Sequence, residues 1–269
     1  MATELHRNVP FEDYLHWLAM SQSVLKQGRK SMLHLNAAIC EVVTPTDAMR
    51  LGSALHTAFL EPDLFDGRVV EWSGKTRNGK AWDAFRADHA GQTILTSGYY
   101  RNVLGMVGQL RKNADVIMWA ETVGPDDVEV SARGMIDGVL FKARVDALTA
   151  APLWDLKTIS STERRVIDRA IYDYGYHIQA YIYTTVFERD RFILGFVEST
   201  APYDVAVVEL SDNWIEYGGV EARRLIEQFK ACLETDTWPG RYAGSILADP
   251  PEWVAAKHDE PLMLGGKAI

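Results

Sequence analysis

Apolar positions recur at helical spacing through "TPTDAMRLGSALHTAFLEPDLF", where Leu51, Leu55, Ala58 and Phe59 share one face and Pro62 ends the run. A helix is predicted there, with His56 at its middle. Residues 11–35 show the same period more briefly and predict one or two short amphipathic helices, the second capped by Ser21 or Ser23. "WSGKTRNGKAWDAF" predicts a Gly-containing basic loop that enters a helix near Ala81, with Trp82 and Phe85 spaced as core positions, and a further helix spans Tyr99 to Asn113.

From residue 127 the period shortens to two. "VEVSARGMIDGVLFKARVDALTA" predicts two strands joined by a turn at Asp137-Gly138, and "PLWDLKTIS" a third after a turn at Ala150 to Pro152. A helical segment over 163–188, strands at "RFILGFVES" and "YDVAVVELS", and a long helix from about Asn213 to Leu233 follow, then "WPGRYAG" and a Pro-rich tail. Helices, a mixed sheet with one inserted helix, and a closing helix define an α/β or α+β class. At 269 residues the expectation is one domain over 1–269, with a helical portion at about 11–113 and a β-sheet core at about 127–235.

Composition narrows the class. Eight Trp and eleven Tyr without any low-complexity stretch belong to a folded globular chain. The opening "MATELHRNVPFEDYLHWLAM" carries acids and histidines where a signal peptide needs a basic start and an apolar stretch, and no run of about 18 apolar residues could cross a membrane, so a soluble cytoplasmic protein is expected. Cys40 and Cys232 cannot build a Cys-rich zinc site or a four-thiolate cluster, and both are expected as packed thiols. The net charge of -9 argues against nucleic acid, but its distribution does not. Residues 73–112 carry seven Lys or Arg against Asp83 and Asp88, a local balance of +5, whereas residues 201–269 stand at -6.

The charged residues of "RVDALTAAPLWDLKT" interrupt otherwise apolar strands, where carboxylates and lysines are rarely buried unless paired or metal-bound. Strand alternation points Asp155 and Lys157 the same way, and the neighbouring strand brings Asp146 alongside. Two converging carboxylates make a hard oxygen site for magnesium or manganese, and an adjacent lysine can orient or deprotonate a water and offset phosphorane-like charge. On spacing alone the same residues also accommodate a structural Asp155–Lys157 ion pair with Asp146 capping a turn. "HIQAYIY" puts Gln179 and Tyr183 on one helix face, able to look into the same place.

Taken in order, His56 in "LGSALHTAFLEP", Asp146 in "RVDAL", Asp155 and Lys157 in "WDLKT", and Gln179 with Tyr183 in "YHIQAYIY" resemble the motif set of PD-(D/E)xK nucleases of the RecB-like branch, and most the exonuclease VIII (RecE) type of phages and prophages. "LEPDLF", "NGKAW" and "YDYGYHIQAYIY" extend the resemblance from about residue 11 to "WPGRY". It implies a restriction-endonuclease-like core and a magnesium-dependent exonuclease, with manganese a possible substitute, in the cytoplasm of a bacterial host. The enzyme would degrade linear duplex DNA from 5′ ends, leaving 3′ tails for a RecT-like annealing partner. It also implies that His56, Asp146, Asp155 and the Leu156 carbonyl bind metal, that Lys157 positions the attacking water, and that Gln179 and Tyr183 hold Lys157, the metal-bound groups or the DNA backbone. A homo-oligomeric ring, such as a tetramer, belongs to the same resemblance.

For DNA contacts, Lys75, Arg77 and Lys80 on the basic loop are candidates to grip phosphates, with Arg164 and Arg165 after the third strand as a second set. No G-x-x-x-x-G-K-[ST] loop is present, so no attached ATP-driven helicase is expected. Glu61 is read as structural, and Glu129 is an acid without an assigned role. An endonuclease or nickase of the same fold, and a non-catalytic DNA-binding protein, remain the alternatives.

Overall fold

The computed structural model describes residues 3–41, 44–150, 152–252 and 254, together with 263–264 and 267–268. The first half runs β1 (Glu4–His6), α1 (Phe11–Leu15), β2 (Met20–Ser21), α2 (Gln22–Leu25), α3 (Met32–Cys40), α4 (Asp47–Leu60), α5 (Phe65–Arg68), β3 (Val69–Trp72), α6 (Gly79–Asp88), β4 (Thr93–Thr96), α7 (Ser97–Leu110) and α8 (Ala114–Ala120). The second half runs β5 (Val128–Ile136), β6 (Val139–Leu148), β7 (Pro152–Ile159), α9 (Arg164–Asp173), α10 (Tyr176–Phe187), β8 (Arg191–Glu198), β9 (Val205–Glu209) and α11 (Asp212–Thr235). No helix among the described residues is long and apolar enough to cross a membrane.

β5 and β6 form a hairpin whose turn residues, Asp137 and Gly138, both take positive φ, the backbone that a two-residue hairpin turn demands. The seven-stranded mixed sheet has the order β1-β5-β6-β7-β8-β9, with β2 added on β6. β7 and β8 run parallel in register from Pro152↔Arg191 to Ile159↔Glu198, joined by the α9–α10 crossover. β6 and β7 pair only at Ala147↔Trp154 and Leu148↔Leu153, then part. On the edge of β6 that β7 leaves, β2 pairs at Met20↔Phe141 and Ser21↔Lys142. Residues 143–146 therefore have no strand beside them on that edge among the described residues.

Each face of the sheet buries its own core. One packs Phe141, Phe192 and Phe196 under α2, α3, α9, α10 and α11; the other packs Trp154, Leu156 and Val197 under α4, α7 and α8, with Trp119 stacked on Trp154. Leu51, Leu55 and Ala58 are the buried stripe of α4, which starts at Thr46, whose hydroxyl accepts the Met49 N–H.

Several elements differ from the sequence-based expectation. The helical segment over 163–188 is two helices, broken where Gly175 adopts positive φ at the start of α10. Of the two expected caps for the second short helix, Ser21 is the one used in α2, its Oγ accepting the Val24 N–H. The parallel pair β3–β4 and helix α8 stand where no regular element is expected, because four-residue strands carry too little alternation to show a period. Trp82 and Phe85 are not core residues: α6 contains no buried residue, and both rings pack on Trp72 at its edge. Cys232 is buried as expected, whereas Cys40, at the end of α3, is exposed.

The α9–α10 elbow is held from outside. The last carbonyls of a helix lack intrahelical partners, and here Arg29 Nη1 donates to the Tyr172 and Asp173 carbonyls at 2.7 and 3.3 Å, Lys26 Nζ to Tyr174 at 3.0 Å and Gln22 Nε2 to Gly175 at 3.1 Å. Arg29 Nε also reaches Glu221 of α11 at 2.9 Å, and Glu221 meets the fully buried His177 at 2.8 Å. Gly218 lets α11 approach closely, since a Cβ there would lie 2.0 Å from the His177 carbonyl oxygen.

Gly218→Ala is expected to push α10 and α11 apart and cost ~1–3 kcal/mol, read by chemical denaturation. The His177 hydrogen bond, with Arg29 beside it, holds the Glu221 carboxyl below the ordinary glutamate range against the opposing pull of burial. A carboxylate with a depressed folded-state pKa stabilises above its unfolded pKa and loses that contribution as pH falls through the folded value. Glu221→Gln should therefore lower stability by ~1–3 kcal/mol at neutral pH, with the gap from wild type closing as pH drops below the glutamate range.

Candidate active site

Where β6 and β7 part, the Leu156 backbone loses its ladder partners, and buried backbone groups need replacements. The Leu156 N–H donates to Asp146 Oδ2 at 2.5 Å, so a side chain of β6 stands in for the missing main-chain acceptor. The Leu156 carbonyl is taken by His56 Nε2 of α4 at 2.9 Å, and the same ring lies with Nδ1 3.3 Å from Asp146 Oδ1. Burial opposes charge on the imidazole, but Asp146 and then Glu129 outweigh it and raise its pKa well above the usual histidine value. The His56 ring thus bridges Asp146 and the Leu156 carbonyl.

Asp155 and Lys157 project together from β7, and their side chains form an ion pair. Asp155 Oδ1 accepts from Gln179 Nε2 of α10 at 2.5 Å, while Oδ2 is buried with no hydrogen bond of its own beyond the Lys157 contact. Burial, with the Asp146 charge adding, pushes the Asp155 carboxyl up to about 6 despite Lys157. Asp146 behaves oppositely: burial raises it, but His56, Lys157 and the Leu156 N–H hold it below the ordinary aspartate range. Burial also disfavours the Lys157 ammonium, yet Asp155 prevails and raises it above the ordinary lysine value.

The histidine and carboxylate atoms that converge within 4.8 Å belong to His56, Glu129 and Asp146. Asp155 lies outside that group, turned toward Gln179 and Lys157. Two carboxylates, an imidazole and a main-chain carbonyl are a donor set that fits a hard divalent cation. Glu129 is the residue that the motif reading left unassigned; it was findable by counting outward from the Asp137-Gly138 turn, which places it opposite Asp146.

The remaining predicted residues scatter around this centre. Gln179 contacts Asp155 rather than Lys157, and Tyr183, one turn further along α10, lines the cleft with its ring against Phe187 and Phe192. Burial, together with nearby Tyr14 and Asp155, puts its hydroxyl well above the ordinary tyrosine range. The cleft has a volume of about 2260 Å³; His56, Glu129, Asp146 and Lys157 line it, together with Leu15 and Leu18 of the N-terminal segment and Arg165 and Arg169 of α9. Arg169 was missed in the sequence, although it lies one helical turn beyond Arg165. Arg164 is exposed and paired with Asp168, and Arg165 with Glu163. Lys75 and Lys80 are exposed on the α6 entry and do not line the cleft, and Arg77 is tied to Asp47 at 2.6 Å. Glu61 pairs with Arg68 at 2.6 Å.

Residues 21–247 match the family described as a PDDEXK-like domain of unknown function (DUF3799), and the chain belongs to that family. Among solved structures, the chain resembles a putative exonuclease from Eubacterium rectale at a TM-score of 0.62 and 15% identity, covering 94% of this chain and 99% of that one. An alkaline exonuclease from Laribacter hongkongensis aligns at a TM-score of 0.32 and 17% identity, over 70% of this chain and 93% of that one. No curated protein matches. The fold is therefore that of PD-(D/E)xK nucleases, with its central mixed sheet flanked by helices.

Gln179→Leu removes the amide that fixes Asp155 without adding bulk. It is expected to lower the nuclease kcat by ~10–100-fold, with an unchanged circular dichroism spectrum.

Proposed function

We propose that this protein is a divalent-cation-dependent exodeoxyribonuclease that degrades linear duplex DNA from 5′ ends and leaves 3′ single-stranded tails. The observation that carries the reading is the meeting of His56, Asp146 and the Leu156 carbonyl at one fork in the sheet, on the wall of a large cleft that Lys157 also lines, with Asp155 paired to Lys157 beneath it. His56, Asp146, Asp155 and the Leu156 carbonyl would hold the cation, which supplies Lewis-acid activation of the scissile phosphate and of a water nucleophile. Magnesium is the cation proposed, with manganese as a substitute.

Lys157 would position the attacking water and offset charge that develops on the phosphate. Gln179 keeps Asp155 in its rotamer. The α9 arginines Arg164 and Arg165, joined by Arg169, would hold the DNA backbone along the cleft, and Lys75, Arg77 and Lys80 would form an outlying phosphate contact. Polarity, the RecT-like annealing partner, a ring-shaped homo-oligomer such as a tetramer, and action in the cytoplasm of a bacterial host are supported by the likeness of the motif set to exonuclease VIII-type enzymes.

The test is digestion of linear duplex DNA labelled at either the 5′ or the 3′ end, with a closed circle alongside. Early magnesium-dependent release of 5′ label, a spared circle, full inhibition by EDTA and loss of at least ~10²-fold in Asp155→Ala and Lys157→Ala are expected. Cutting of the circle would instead establish an endonuclease, and undiminished activity in either variant would remove the site assignment.

A further inference from the structure

Glu129 occupies a position that a hydrophobic strand does not need. The pairs Val128↔Ala147 and Val130↔Val145 bracket it, so it stands directly across from Asp146 on the neighbouring antiparallel strand. Like charges directly opposite each other destabilise a sheet. The Glu129 backbone is also held at φ +53, a left-handed conformation that costs a residue with a Cβ and survives only where its surroundings demand it.

The two oxygens of Glu129 face different groups. Oε2 accepts from Arg144 Nε at 2.6 Å, and Arg144 is itself anchored by donating to the Val9 carbonyl at 2.8 Å. Oε1 has no hydrogen bond among the described residues and turns toward the centre, 3.8 Å from His56 Nδ1. One oxygen is fixed, and the other is aimed at the point where His56 and Asp146 converge. Orienting a carboxylate through its outer oxygen, so that the inner one faces a cation, is how a supporting shell prepares a metal ligand.

We infer that Glu129 is a ligand of the divalent cation, contributed by β5, with Arg144 as its positioning residue; this rests on the nuclease reading of the site. The cation would then be gripped from both strands of the β5–β6 hairpin as well as from β7. Its charge would sit between the opposed Glu129 and Asp146 carboxylates and turn their repulsion into binding.

The experiment is calorimetric titration of Mn²⁺ into the DNA-free protein, comparing wild type with Glu129→Gln and Asp146→Asn, and thermal melting of each with and without Mn²⁺. Glu129→Gln is expected to weaken Mn²⁺ binding by at least ~10-fold and to shrink the Mn²⁺-induced rise in Tm. If Glu129 serves only as an ion-pair partner of Arg144, the variant melts lower without metal and binds Mn²⁺ within about twofold of wild type, which overturns the inference. Should Glu129→Gln not fold, Glu129→Asp keeps the charge but shortens the reach, and it too must lose Mn²⁺ affinity for the inference to stand. Loss of binding in Asp146→Asn alone would overturn the Glu129 assignment and leave the nuclease centre intact, whereas unchanged binding in both variants would remove the centre itself.

Discussion

The structure turns on one unmet obligation of a β-ladder. β7 must leave β6 after Trp154, yet Leu156 is buried and its N–H and carbonyl still need partners. The chain answers with side chains, Asp146 for the donor and His56 for the acceptor. Groups proposed to serve the chemistry are thus the groups that close the sheet, and their positions are set by the geometry of hydrogen bonding to a fixed main chain. The arrangement is precise without long-range design, because a carboxylate reaching a neighbouring backbone N–H has few places to go.

That closure also accounts for buried charge in an apolar hairpin. Asp146 and Asp155 are 5% and 2% exposed, a burial that water would not tolerate for isolated carboxylates. Each is compensated locally, Asp146 by the His56 ring and Asp155 by Lys157 with the Gln179 amide. The two acids nevertheless differ: His56, Lys157 and the Leu156 N–H draw Asp146 below the ordinary aspartate range, while burial raises Asp155. A site in which burial still outweighs compensation at one carboxylate is a site with capacity for further positive charge.

Much of this was legible in the sequence because it lies on strongly periodic elements. The β5–β6 hairpin follows from alternation and from Asp137-Gly138, α4 from its apolar stripe, and the D-x-K strand from charge set against an apolar background. What escaped was set by neighbours rather than by local pattern. Trp82 and Phe85 sit at helical spacing, but the surface they meet is a single tryptophan, so the helix stays exposed. The break at Gly175 interrupts a run whose period continues on both sides. β2 is two residues long and exists only because β7 vacates its edge. Glu129 looks like any polar strand residue until its partner across the hairpin is counted.

The elbow between α9 and α10 carries Gln179 to Asp155, and it is secured by Gln22, Lys26 and Arg29 from the start of the chain and by Glu221 from near its end. The Arg29–Glu221 contact closes a loop of 192 residues, among the last connections that a chain emerging in order can make. Strands β5, β6 and β7 are synthesised well before that connection becomes possible. A nascent chain therefore holds Asp146 and Asp155 before it can complete the brace on the helices that carry Gln179.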